Sequence, residues 1–358
     1  MADGTLRSLA RLAVLDASSG VAGPYAASLL AGMGARVRRP PDGATLETTD
    51  VQPEGLQFYL GRGVERVEPA DEAGFDRLLA ESDVLFVSDR GPAEIQALQG
   101  RHPQLIVVSI TPFGLTGPEA ARPGGAFVAA AKAGWLFITG EPEREPLRVG
   151  GHVAELAAGW AAFSGALLGV LERRRTGRGT LVDLALLEVF VYLQWMATQR
   201  AGYESVTVRR AGGRGAGHPW GVYRCKDGHV IVIVGAGGRN WAAFADLMEA
   251  PELRDPKFAT PRGRAQHADE IDAIMYRWLL QHDARTVYER AQAAGLPFGM
   301  IATVPDLLAD PQLQARAFLG AGEDGVRVPG IPLRYGGVRP DGGAPATRAE
   351  GATVGGTR

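Results

Sequence analysis

Short apolar runs alternate with longer amphipathic stretches through the N-terminal part of the chain. Residues 11–16 (RLAVLD) read as a buried strand, 18–25 (SSGVAGPY) as a Gly/Pro turn, and 25–33 as a helix that Gly34 stops. Residues 35–39 (ARVRR) follow as a second strand. Such a β-turn-α-β opening predicts a parallel sheet with helices packed on it. A helix at 75–81, a strand at 84–88 (VLFVS), a helix at 93–99 and a strand at 105–110 (LIVVSI) continue the alternation. In open α/β sheets, the loops that end such strands form the edge where ligands sit.

Residues 111–123 (TPFGLTGPEAARP) read as a loop and 126–137 as a helix of small residues. From 153 to 174 the chain lacks Pro, is mostly apolar and closes on Arg173, Arg174 and Arg175, with Gly177 as a stop, which predicts one long buried helix. A strand and a helix running to about residue 200 come next. Composition then shifts: 209–217 (RRAGGRGAG) is a basic, Gly-rich connector, and 221–235 (GVYRCKDGHVIVIVG) is a hairpin turning at Asp227-Gly228. Helices at 241–248, 269–281 and 284–294 complete a smaller α+β domain. The pattern divides the chain into a large α/β domain at 1–208, a linker at 209–219, a small domain at 220–302 and a segment at 303–358 that returns to the large domain or trails over a partner.

At 358 residues the chain suits two domains, and a 46% hydrophobic, 22% charged composition is that of a globular protein. A net charge of -2 provides no global attraction to nucleic acid or to an acidic membrane. Cys225, the one cysteine, excludes an internal disulfide framework and a cysteine metal cluster, which fits a reducing, cytoplasmic setting. No window approaches 18 uninterrupted apolar residues, so no membrane span is expected, and no metal site is expected either. The first turn reads GVAGP rather than GxGxxG, which argues against a dinucleotide site.

Chemistry gathers at 147–159 (LRVGGHVAELAAG), where a Gly-Gly turn runs into the long helix. Glu155 falls in that helix's first turn, where free backbone N–H groups and the positive end of the helix dipole favour the ionised carboxylate. A carboxylate so placed can act as a nucleophile. It is also a good helix starter.

The segments VLDASSGVAGPYAASLLAGMGARV, HPQLIVVSITPFGLTGP, ARPGG, ITGEPEREPLRVGG, LERRRTGRGTLVDLALLE, HPWGVYRCKDGHVIV and VPGIPLRYGG occur in an order that resembles the class III CoA-transferase family, which includes formyl-CoA transferase, carnitine CoA-transferases and the α-methylacyl-CoA racemases. The resemblance implies a large Rossmann-like domain assembled from both ends of the chain, with a small domain inserted between. It implies interlocked subunits, as a homodimer or as a heterodimer with a homologue. Coenzyme A, as acyl-CoA substrate rather than tightly bound cofactor, is then expected at the sheet's carboxyl edge, with a carboxylic acid as second substrate. Family members carry a carboxylate, normally Asp, where Glu155 stands. In the transferases it attacks the thioester to give a mixed anhydride, CoA thiolate returns to form an enzyme thioester, and the second acid takes the CoA.

The same resemblance puts the backbone of Gly20, Val21 and Ala22 against CoA and assigns Ser88 and Gly125 to its site. Arg38, Arg39, Arg62, Arg90 and Lys132 are the candidate phosphate partners, with a solvated surface cation as the alternative for each. The chain departs from the family where Gly125 and Ala126 replace the usual Tyr or His, and where Gly61-Arg62-Gly63 and Ser88-Asp89-Arg90 replace more basic or amide-bearing runs. His152, three residues before Glu155, is either a base or a structural turn residue. Trp135, Phe137, Gln194 and Trp195 either line an apolar pocket or belong to core, and 235–238 (GAGG) is either a mobile cover or a plain turn. Four readings stay open: a CoA-transferase with Glu155 as nucleophile, an acyl-CoA isomerase or racemase using Glu155 and His152 as bases, a non-catalytic subunit paired with an active relative, and a member that no longer uses CoA.

Overall fold

Strands with apolar side chains on both faces need helices on both sides, and the chain supplies them by alternation. The computed structural model describes residues 8–40, 53–69, 71–212, 218–235, 238–321 and 325–340. From the N-terminus it runs β1 (Ala13–Ala17), α1 (Ala22–Gly32), β2 (Arg36–Arg39), α2 (Pro53–Leu60), β3 (Val64–Arg66), α3 (Glu72–Ala80), β4 (Val84–Val87), α4 (Pro92–Arg101) and β5 (Ile106–Thr111). Then come α5 (Ala126–Lys132), α6 (Trp135–Ile138), α7 (Val153–Thr176), β6 (Leu181–Ala185), α8 (Leu186–Leu193) and α9 (Trp195–Glu204). The six strands form an all-parallel sheet of order β3-β2-β1-β4-β5-β6, with Leu15 in register with Arg38 on one side and Leu85 on the other. This is a Rossmann-like order, and it reverses between β1 and β4.

Leu15, Leu85 and Val107 point to one face, where they bury Leu79 of α3 and Ile95 and Leu98 of α4. On the other face Val14, Phe86 and Val108 share a core with Ala26 and Leu30 of α1 and Ala158, Ala162 and Ala166 of α7. Small residues let α7 lie close. A Cβ on Gly159 would stand 2.7 Å from the Ala22 carbonyl oxygen, and one on Gly169 would stand 2.6 Å from Ile106 Cγ2. Gly177 ends α7 in the left-handed conformation at φ 72°. By length and composition α7 could cross a membrane, but here its small-residue stripe lies on α1 and the sheet. The helix is less buried than its apolar composition predicts: Leu168 and Leu171 on its other face are 65% and 58% exposed.

Several elements differ from the periodicity's expectation. α1 starts at Ala22, inside the stretch read as a turn, because Pro24 in a first helical turn forfeits no intrahelical bond. Gly134, at φ +85°, splits the expected 126–137 helix into α5 and α6. The helix expected to run to about residue 200 is broken at Gln194 into α8 and α9. α2 and β3 carry no clear period and were not foreseen.

Further along stand β7 (Trp220–Arg224), β8 (His229–Ile233), α10 (Gly238–Leu247), α11 (Pro261–Gln266), α12 (Ala268–Leu279), α13 (Ala284–Ala293), β9 (Gly299–Met300), α14 (Val304–Ala309), α15 (Pro311–Ala315), β10 (Leu319–Ala321) and β11 (Arg327–Pro329). β7, β8 and β9 form an antiparallel sheet whose buried side meets Phe244, Phe258, Ile271 and Met275.

The chain divides into two compact units. One comprises the described residues up to Leu136, Arg148–Val208 and the described residues from Pro311 on; the other comprises Phe137–Leu147 and the described residues from Arg209 to Asp310. The sequence reading leaves 137–147 in the large domain and starts the return at 303. The excursion instead joins the second unit because Arg210 donates to the carbonyls of Phe137 and Glu141, both at 3.1 Å. Residues 213–217 of the connector, 236–237 of GAGG, and 322–324 and 341–358 of the last segment lie outside the described residues.

Candidate active site

The turn from β1 to α1 sits at the carboxyl edge where strand order reverses. Gly20 takes φ +74°, Val21 caps α1, and Val21 and Ala22 are buried. The turn is braced from three directions. Asp16, fully buried, accepts from Ser18 Oγ at 2.5 Å and from the Ser18 backbone N–H at 3.2 Å. Arg39 donates to the same carboxylate, its Nη2 and Nε lying 2.7 and 2.8 Å from Asp16 Oδ2. Across the reversal, the Ser19 N–H donates to Ser88 Oγ at 3.1 Å.

The start of α7 comes to this turn. Gly151 and His152 are both left-handed, at φ 68° and 55°, and this pair of residues turns the chain into the helix. A histidine there is uncommon but tolerated. The first intrahelical bond runs from the Leu156 N–H to the His152 carbonyl at 2.8 Å, so the N–H groups of 153–155 precede the ladder, and Glu155 occupies the third helical position among them. His152 Nδ1 lies 2.8 Å from Glu155 Oε2, with the side chains only 7% and 14% exposed. With the carboxylate ionised, the imidazole donates. Gly159, one turn further along and on the same face as Glu155, presses on the Ala22 carbonyl and on Tyr25. The close approach of α7 to α1 therefore brings Gly159 to the start of α1, with Glu155 one turn before it on the same helix face.

An aromatic group flanks this junction. Tyr25 stacks on Tyr59 at 6.4 Å between ring centroids and meets Trp160 edge-on at 6.3 Å. Burial, and then the neighbouring Tyr59, push the Tyr25 phenol up. Arg62 lies 4.7 Å over Tyr59, donates to the Pro329 carbonyl at 3.1 Å, and is pulled down by burial.

The remaining candidates scatter. Because alternate strand residues face opposite ways, Arg38 and Arg39 diverge: Arg38 Nη1 reaches Glu81 at 2.7 Å on the α3 side and holds that carboxyl below its ordinary range. Arg90 pairs with Glu94 at 3.7 Å and lies 5.6 Å over Phe75. Lys132 pairs with Glu119, holding that carboxyl low, and lies 5.8 Å over Phe113, so it ties the 111–123 loop to α5. Gly125 caps α5, and Gly124 beside it meets Phe113 at 3.0 Å from where its Cβ would be. Trp135 is core, donating to the Phe190 carbonyl at 2.7 Å, while Trp195 is 62% exposed. Sequence reasoning missed Asp16, Ser18 and Tyr25. One signal was available: an acidic residue at the end of an apolar strand must find a partner once buried.

The class shown by the fold is an open, Rossmann-like α/β sheet, and the start of α7 adds a histidine-paired carboxylate. CoA-transferase family III matches residues 64–349, and the chain belongs to that family. The succinate–glutarate CoA-transferase of Agrobacterium fabrum is 28% identical, with 91% of each chain covered. The acetyl-CoA:oxalate CoA-transferase of Acetobacter aceti is 29% identical over 96% of this chain and 94% of its own. Among solved structures, a CAIB/BAIF family protein from Brucella suis superposes with a TM-score of 0.84 at 26% identity, covering 94% of this chain and 95% of that one.

Proposed function

We propose that the protein moves CoA between an acyl-CoA and a carboxylic acid, with Glu155 as nucleophile. The observation that carries this reading is the Glu155 carboxylate, mostly buried in the first turn of α7 and engaged by His152 through Oε2, on a helix whose Gly159 packs against the start of α1. Glu155 Oε1 attacks the thioester carbonyl, the C–S bond breaks, and CoA leaves as thiolate, giving a mixed anhydride. The thiolate attacks the glutamyl carbonyl, releasing the first acid and forming a glutamyl thioester. The second acid's carboxylate attacks that thioester, and the freed thiolate takes the new acyl group, restoring Glu155. The open N–H groups at the start of α7 stabilise the carboxylate as leaving group, and His152 fixes its orientation.

CoA lies against the backbone of Gly20, Val21 and Ala22, with Arg62 and Arg90 as the cations nearest in role to its phosphates. Both relatives named above act on short dicarboxylates by name, so succinyl-CoA with glutarate and acetyl-CoA with oxalate are the first pairs to assay. Two copies interlock: Tyr192, Trp195, Met196 and Tyr203 are 81%, 62%, 56% and 89% exposed, an apolar surface suited to a second subunit. The buried thiol of Cys225 suits a cytoplasmic setting.

The test is incubation with acyl-CoA followed by hydroxylamine or borohydride. Modification of Glu155 is expected, and transfer by a chain whose Glu155 stays unmodified would sink the mechanism. The His152 pair favours one second reading, an acyl-CoA isomerase using both groups as bases. Deuterium wash-in at the α carbon without CoA exchange would establish it instead.

A further inference from the structure

We infer that Arg39 is a positioning residue that clamps the β1–α1 turn, rather than a ligand of a CoA phosphate; the inference rests on the reading above that CoA lies against that turn. Its guanidinium reaches both ends of the turn. It grips the Asp16 carboxylate at the end of β1, at 2.7 and 2.8 Å, and its Nη2 lies 3.5 Å from the Pro24 carbonyl in the first turn of α1. Asp16 is fully buried and Arg39 is 11% exposed, so the pair is a dry ion pair. The other carboxylate oxygen is used by Ser18, through Oγ at 2.5 Å and its backbone N–H at 3.2 Å. Ser18 in turn fills the space over Gly23, where a Cβ would stand 1.8 Å from its Oγ. The Ser19 N–H is taken by Ser88 at 3.1 Å.

Both residues between β1 and Gly20 are thus tied, Ser18 to the carboxylate that the guanidinium holds and Ser19 to Ser88. The Nε and Nη2 side of that guanidinium is taken by protein oxygens, and drawing it to a phosphate would leave the buried Asp16 without its counter-charge. The clamp instead presents the Gly20–Ala22 backbone in one conformation to the pantetheine arm.

The test compares binding of CoA and of pantetheine, which carries no phosphate, to the wild type, Arg39→Met and Ser18→Ala, by NMR titration. Amide exchange at Ser18 and Ser19 is followed in the ligand-free chains. The clamp predicts that each substitution weakens both ligands by the same factor, ~10-fold, as expected for a displaced contact surface, and speeds exchange at both amides. Loss confined to CoA in Arg39→Met would make Arg39 a phosphate ligand and overturn the inference. Unchanged affinity in the folded variants, or unchanged exchange, would overturn it too. Ser18→Ala keeps both charges and carries the test if Arg39→Met does not fold. A wild type that binds neither ligand overturns the CoA reading alone, and the exchange rates still decide the clamp.

Discussion

The Glu155 side chain bends back to His152, three residues before it, with Oε2 2.8 Å from Nδ1. The bond engages Oε2 and orients the carboxylate as a unit. Glu155→Gln, which keeps the shape and removes the charge, is expected to lower transfer by ~10³-fold or more, measured as single-turnover acyl-CoA consumption. His152→Asn keeps a residue that tolerates the left-handed backbone but cannot span to Oε2 in the same way. It should lower kcat ~10-fold with little change in the melting curve. The first-turn place of Glu155 was legible in the sequence because a carboxylate soon after a Gly-Gly pair, at the start of an apolar run, is a local signal. The Asp16–Arg39 pair was not, because its partners are 23 residues apart and meet only when β1 and β2 align.

The elements are held at their spacing by small residues and pinned loops. Gly159 touches the Ala22 carbonyl, so Gly159→Ala forces α7 away from α1. It should cost about 1–3 kcal/mol in urea unfolding and lower turnover as well, because Glu155 moves with its helix. The 111–123 loop is pinned by Glu119 to Lys132, which depresses the Glu119 carboxyl. A carboxyl lowered in the folded state adds stability that is complete above its ordinary value and is lost as pH falls through the lowered one. The gap in urea midpoint between the wild type and Glu119→Gln should therefore close on acidification from pH ~7 to ~3. A gap that persists or widens in acid would contradict this. Helix ends marked by glycine were legible, as at Gly177. The break at Gln194 and the strand at Val64–Arg66 were not, since neither carries a breaker or an alternating pattern, and packing alone decides them.

Across the whole molecule, α7, α8 and α9 carry exposed apolar residues, Leu168, Leu171, Tyr192 and Trp195 among them, and these suit the second subunit proposed above. Sedimentation of the wild type should give twice the chain mass of 37.8 kDa, and Tyr192→Lys with Trp195→Glu should shift it toward one copy. A monodisperse single chain would remove the interlocked assembly. The first unit is closed by its own far end: Ile331 is buried in the core that holds Val14 and Leu30, and Arg62 reaches the Pro329 carbonyl. During synthesis, then, the sheet of the first unit is made well before the segment from Pro311 on that closes it. For that interval a chaperone would meet an open hydrophobic seam beside α2, and a chain cut short before residue 311 would carry that seam permanently.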